Sequence, residues 1–191
     1  RQEHKAVIEN ISEPTGEKYD AILRRIFLLN KESINELKTW NKEMFATIKD
    51  YRDQLDKYVL FCKRILYKDR YHHDPLIHWE LLTFLMHINH ALYYLADYLQ
   101  RHEMGDDAKK LLEELDDYYD LHYKAYYKKD YGHVKTINER RHDLQFGKLI
   151  KLLEQKTDDA VVIAYLKEAF RLIQIGTSPL VALLLEELYT D

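Results

Sequence analysis

Apolar residues recur along much of the chain at alternating steps of three and four, the stride of a helix that packs on neighbours. Met44, Ile48, Tyr51, Leu55, Tyr58, Cys62 and Ile65 keep that stride without a break, and so do Leu81, Leu85, Ile88, Leu92, Leu95 and Leu99. Both runs predict long helices. Breakers and polar clusters set the borders: Pro14-Thr15-Gly16, a weak break near Trp40, the stretch from Lys68 to Pro75, Met104-Gly105-Asp106, Asp130-Tyr131-Gly132 and Lys156-Thr157-Asp158. Pro75 suits the first turn of a helix, and Thr157 or Asp158 suits an N-cap. The reading is six helices over about 17–38, 41–68, 75–103, 106–128, 131–155 and 158–188.

These helices fall into two sets of three. A shift of 89 positions lays Thr47-Ile48-Lys49-Asp50-Tyr51-Arg52 and Leu55 on Thr136-Ile137-Asn138-Glu139-Arg140-Arg141 and Leu144. The same ungapped shift carries Leu23, Ile26 and Leu29 onto Leu112, Leu115 and Tyr118. A match held in register through two successive helices predicts a duplicated three-helix unit. The expected organisation is a lead-in over 1–16, which would link to an upstream domain, and one domain over 17–191 with repeats at 17–103 and 106–188.

Composition narrows the function classes. Only 5 Gly and 3 Pro among 191 residues leave little room for a strand-and-turn architecture. A net charge of −4 lacks the basic footprint of a nucleic-acid-binding domain, so direct nucleic-acid contact is not expected. One cysteine, Cys62, excludes an internal disulfide framework and any multi-thiolate zinc site, which fits a reducing, cytoplasmic setting. The longest purely apolar runs, such as Val181 to Leu185, fall far short of a membrane span, so no membrane insertion is expected. The 16 Tyr and 10 His point to many half-buried polar rings.

Several stretches resemble the PhoU family of phosphate-signalling proteins, and most closely an archaeal branch in which a PhoU module follows an AbrB-like DNA-binding region. Val7-Ile8-Glu9-Asn10-Ile11-Ser12-Glu13-Pro14 with Leu23-Arg24-Arg25-Ile26 resembles the family's entry into its first helix. Arg52-Asp53-Gln54-Leu55-Asp56-Lys57-Tyr58 with Arg64-Ile65-Leu66 resembles the second helix, Leu92-Tyr93-Tyr94-Leu95-Ala96-Asp97 the end of the third, and Arg171-Leu172-Ile173-Gln174-Ile175-Gly176 its counterpart in the second repeat. The resemblance implies an all-α, two-repeat, six-helix bundle that regulates phosphate uptake. Its partner would be a transporter or signalling component, and a homodimer is expected. Metal-binding carboxylates of some members would fall at 93, 97, 170 and 174, but only Asp97 is acidic here, with Tyr93, Phe170 and Gln174 elsewhere. A metal cluster of that kind is therefore not expected.

The candidate chemistry gathers on the third helix. Steps of three, four and three put His87, His90, Tyr94 and Asp97 on one face, and Arg171 is the matching residue of the second repeat. His87, His90, Asp97 and Arg171 are the candidate ligand-binding residues. A divalent metal shared by His87 and His90 is the alternative, with His122 or His142 as a third ligand. His72-His73-Asp74 is dense in ligand types, Glu139 and His142 have the spacing of a di-iron half-site, and Asp50/Asp53/Asp56 and Glu113/Glu114/Asp116/Asp117/Asp120 form acidic faces. Tyr118, Tyr119, Tyr123, Tyr126, Tyr127 and Tyr131 cover more than one side of the fourth helix, which makes Tyr119, Tyr123 and Tyr127 a candidate partner surface. Gly176-Thr177-Ser178-Pro179 predicts a kink in the last helix. No phosphate-binding loop, nucleophile elbow or His-Glu-x-x-His is present. The expectation is a non-enzymatic regulatory and interaction module; a metal-dependent bundle enzyme and a purely structural dimerisation domain are the rivals.

Overall fold

The computed structural model describes residues 16–69, 74–155 and 158–190. The lead-in before residue 16, His72, His73 and Thr157 lie outside the described residues. Six helical rods make up the rest, with no strand among the described residues: α1 (Gly16–Lys38), α2 (Met44–Asp69), α3 (Pro75–Leu99), α4 (Asp106–Lys128), a fifth rod in three segments, and a sixth in two. The fifth rod runs from α5 (Tyr131–Arg141) through a π-helical stretch, His142–Lys148, into α6 (Leu149–Glu154). The sixth is α7 (Ala160–Ile175) followed by α8 (Thr177–Thr190).

The stripe read from the sequence is the core. Leu81, Leu85, Ile88, Leu92, Leu95 and Leu99 of α3 are all buried, as are Ile48, Leu55, Cys62 and Ile65 of α2. Helix α1 packs on α2, α3 and α4, and α3 packs along α7, so α1 and α3 sit at the centre. Residues Ala160–Leu185 are long and apolar enough to cross a membrane by composition, yet 56% of the most apolar window is buried inside the bundle. Its hydrophobicity is that of a central core helix.

Helix ends follow local chemistry. The Asp74 carboxylate accepts from the Leu76 and Ile77 amides at 3.0 and 3.3 Å, with Pro75 in the first turn, where its missing N–H costs nothing. The last rod begins at Ala160, after Asp159 rather than after Thr157 or Asp158. The Asp159 carboxylate leaves its own helix uncapped and instead accepts from the Gly105 amide at 2.8 Å, beside the first turn of α4. Gly105 leaves room for it: a Cβ there would overlap the Asp159 carboxylate, which would have to move. Gly105→Ala should expel that carboxylate and lower the unfolding free energy by about 1–2 kcal/mol, read as a drop in the urea midpoint. An unchanged midpoint would mean that the Asp159 contact contributes nothing.

The sixth rod is interrupted where the kink was expected, but the break falls at Gly176 and Pro179 is taken into the first turn of α8. Gly176 has ordinary helical dihedrals; its small size is what matters. A Cβ there would stand 3.1 Å from the Leu172 carbonyl oxygen and 3.2 Å from His122 Nε2.

Candidate functional site

An open groove of about 590 Å³ runs between α3 and α7. Phe84, His87, His90, Ala91 and Tyr94 line it from α3, and Tyr165, Glu168, Arg171, Leu172 and Ile175 from α7. Three of the four candidate ligand-binding residues, His87, His90 and Arg171, therefore meet in one place. The fourth, Asp97, does not line the groove. Its carboxylate accepts from Gln100 Nε2 at 2.9 Å and lies 3.8 Å from Arg101, near the end of α3. One face of α3 carries His87, His90, Tyr94 and Asp97 in order, but α7 covers only part of that face.

Three charged or titratable groups in the groove have local partners. Arg171 makes a bidentate pair with Glu168, both bonds 2.8 Å, and this hydrogen bonding holds the Glu168 carboxyl below its usual range. His90 Nε2 lies 2.8 Å from Asp56 Oδ1 on α2. The His87 and His90 rings stand nearly perpendicular with centroids 6.4 Å apart. Among the described residues no three His, Cys, Asp or Glu side chains converge as a metal site. The groove is an aromatic and aliphatic trough, crossed by an Arg–Glu pair and edged by imidazoles. Such a surface suits a ligand or segment with both apolar and charged groups.

Glu168 and Tyr165 were not singled out from sequence. Glu168 carried a signal, since it stands three positions before Arg171 on the same helical face. Phe84 likewise precedes His87 by one turn. Tyr93 turns away from the groove; Arg52 lies over its ring at 4.3 Å and Phe45 packs beside it.

The acidic face of α4 is taken up inside the molecule. Asp116 pairs with Lys31 and Lys38, Asp120 with Lys31 at 2.6 Å, and Glu113 with Lys38 at 2.8 Å. Burial works to raise the Asp116 pKa, but the two lysines outweigh it and hold the carboxyl below its ordinary value. On the other side, Glu114 receives Arg140 at 3.2 Å and Lys148 at 2.5 Å. The acidic face of α4 is thus largely an ion-paired seam. Glu139 and His142 do not form an inward half-site either: Glu139 pairs with Lys135 at 3.7 Å and His142 is exposed on the π-helical stretch.

The tyrosines of α4 are largely interior. Tyr119 is fully buried and donates to the Phe27 carbonyl at 3.0 Å, so it has no surface to present to a partner. Tyr123, Tyr126 and Tyr127 pack with His122 around the Phe27 ring, at centroid distances of 5.4 to 5.8 Å. Tyr123 and Tyr127 keep partial exposure, and Arg24 lies over the Tyr127 ring. Helix α4 has aromatic residues on two sides: Phe27 of α1 meets the Tyr123, Tyr126 and Tyr127 side, while Tyr118 donates to the Ile137 carbonyl of α5 at 2.8 Å and packs edge-on against Phe170 of α7.

His122 is the other residue whose role the sequence did not reveal. Its Nε2 donates to the Gly176 carbonyl at 3.2 Å, while Nδ1 is buried with no partner among the described residues. It holds the joint between α7 and α8 and does not reach the His87/His90 face.

No family model matches this chain, and neither a curated protein nor a solved structure is significantly similar to it.

Proposed function

We propose that this chain is a non-catalytic regulatory and interaction module of the duplicated PhoU-like plan, acting in the control of phosphate uptake through a transporter or signalling partner. The observation that carries the reading is the pattern of contacts between the first helices of the two halves. Lys31 bonds Asp120, which lies 89 positions on, the same step that aligns the halves in sequence. Lys38 pairs with Glu113, and Arg24 lies over Tyr127; the step of 89 converts one of these pairs into the other. Contacts exchanged in this way are what a two-fold arrangement of repeats requires. They support 17–103 and 106–188 as two copies of one unit.

The groove between α3 and α7 lies where the third helices of the two copies meet, with Tyr94 and its counterpart Arg171 both on its wall. A ligand or partner segment seated there touches both halves and can bias their packing, which is the differential contact a regulatory device needs. Docking of the helical bundle on the partner would transmit that bias.

Loss of the gene is expected to release phosphate uptake from its dependence on phosphate supply. Wild-type protein should restore the several-fold difference in uptake between phosphate-rich and phosphate-poor medium, and Tyr94→Ala/Arg171→Ala should not. Both residues are partly exposed, so the double variant should keep wild-type stability to within about 1 kcal/mol. Uptake that is identical with and without the gene in both media would overturn the reading.

A further inference from the structure

Away from the groove, α2 and α3 pack side by side, and large apolar side chains stand out from both. Leu60 and Tyr67 of α2 and Leu76 and Trp79 of α3 are 68%, 84%, 79% and 44% exposed. Lys63 joins the two helices: its Nζ donates to Thr83 Oγ1 at 2.9 Å and sits 4.7 Å from the centroid of the Trp79 ring. Four large apolar side chains left in water on two neighbouring helices mark a surface that meets something.

The charge among them has one sign. Residues 57–68 hold Lys57, Lys63, Arg64 and Lys68 and no Asp or Glu, in a chain whose net charge is −4. Lys57, Leu60, Arg64 and Tyr67 follow one another at steps of three, four and three, so cations and apolar side chains alternate on the outer face of α2. All four are exposed, and so is Lys68. No carboxylate among the described residues pairs with Lys57, Lys63, Arg64 or Lys68, whereas Lys31 and Lys38 of α1 are held by the acids of α4. Nearby acids are few: Asp69 ends α2, Asp74 is spent on the cap of α3, and Glu80 is the one carboxylate between 75 and 90.

We propose that this face binds the surface of a membrane containing anionic phospholipids, with α2 and α3 lying in its plane. Trp79 and Tyr67 seat their rings at the level of the headgroups, and Leu60 and Leu76 reach toward the acyl boundary. Lys57, Arg64 and Lys68 meet the anionic headgroups, and Lys63 keeps its charge against the face of Trp79. Three lysines interleaved with the apolar residues favour this occupant over a protein. The core of a protein interface is depleted in lysine, whereas at a membrane the long stem lies along apolar surface and the ammonium stays in the wet headgroup layer. The chain rests on the bilayer without crossing it, since the opposite faces of both helices are committed to the core.

The test is flotation of the full chain with vesicles of phosphatidylcholine alone or with about 30% phosphatidylserine, at about 0.1 M and about 0.5 M salt. The chain should float with the anionic vesicles at low salt, several-fold less at high salt, and hardly at all with phosphatidylcholine. Trp40→Phe leaves Trp79 as the one tryptophan, and its emission should move to the blue on the anionic vesicles. Lys57→Glu/Arg64→Glu/Lys68→Glu should weaken binding at least tenfold, and Leu60→Ser/Leu76→Ser several-fold. These positions are exposed, so the urea midpoint should hold in both variants. Lys109→Glu/Lys110→Glu/Lys151→Glu makes the same change in net charge on other exposed positions and should bind nearly as wild type. Flotation that is absent, equal with both vesicles, or reduced as much by the second triple variant as by the first would overturn the proposal. So would a self-association, seen by light scattering, that the first triple variant abolishes while wild type fails to float, which would give the face to a second copy.

Discussion

Phe27→Ala is expected to lower the free energy of unfolding by about 3–5 kcal/mol, a large share of the roughly 5–15 kcal/mol that holds a domain of this kind together. Phe27 is fully buried on α1 and carries the rings of His122, Tyr123, Tyr126 and Tyr127 around it. Truncation removes the ring's transfer free energy and leaves a cavity at a contact that α1 and α4 share. The surrounding rings cannot collapse into it freely: Tyr119 is tied to the Phe27 carbonyl, and His122 is tied to Gly176. Urea unfolding should give a much lower midpoint with an unchanged slope, since the same surface is exposed. Leu60→Ala is the control, because Leu60 is mostly exposed and should shift the midpoint by no more than about 0.5 kcal/mol. A cost below about 1 kcal/mol at Phe27 would mean that the two halves are joined mainly by the α3–α7 contact.

The cluster around Phe27 marks how far the sequence could be read. Periodicity identified all six rods, because the apolar stride depends only on which residues must leave water. It located the border at Pro75, where Asp74 supplies a local cap, and missed the start of α7, where the Asp159 carboxylate leaves its own helix uncapped and is held by the Gly105 amide 54 positions away. It also missed the π-helical stretch at His142–Lys148, where the buried Leu144 and Leu149 stand five positions apart, the step of a turn wider than that of an α-helix. Side-chain roles were legible only where they were local. His87, His90 and Arg171 meet in the groove as their helix faces suggested, but which face α7 would cover depended on packing, and that left Asp97 outside. The acidic run of α4 and the burial of Tyr119 were not legible for one reason. The residues that engage them, Lys31, Lys38 and Phe27 of α1 and Arg140 and Lys148 of the fifth rod, lie on other helices, and no pattern within α4 reveals what its neighbours bring.

His122 gives the protein its sharpest expected dependence on pH. Gly176 offers a carbonyl, which can only accept, so the imidazole carries its proton on Nε2 and leaves Nδ1 bare. Phe27 and Tyr119 pack against the ring, and no charged group touches it. Burial therefore penalises the imidazolium and pulls the pKa down from 6.5 to about 4, partly offset by the bond to Gly176. Between those two values the unfolded chain binds a proton that the folded chain refuses. Stability is then fully present above pH 6.5 and falls as pH drops toward 4, by about 3 kcal/mol over the window. His90 with Asp56 and His133 with Asp130 place other imidazoles beside carboxylates, so the His122 contribution is best isolated by difference. His122→Gln keeps a donor for Gly176 and removes the titration. Urea midpoints of wild type and His122→Gln, measured from pH 7.5 to 4.5, should diverge at high pH in favour of wild type and converge on acidification, with a slope difference approaching one proton. Parallel curves would show that the imidazole is hydrated or partnered in the folded state and that the α7–α8 joint is not held by a neutral histidine.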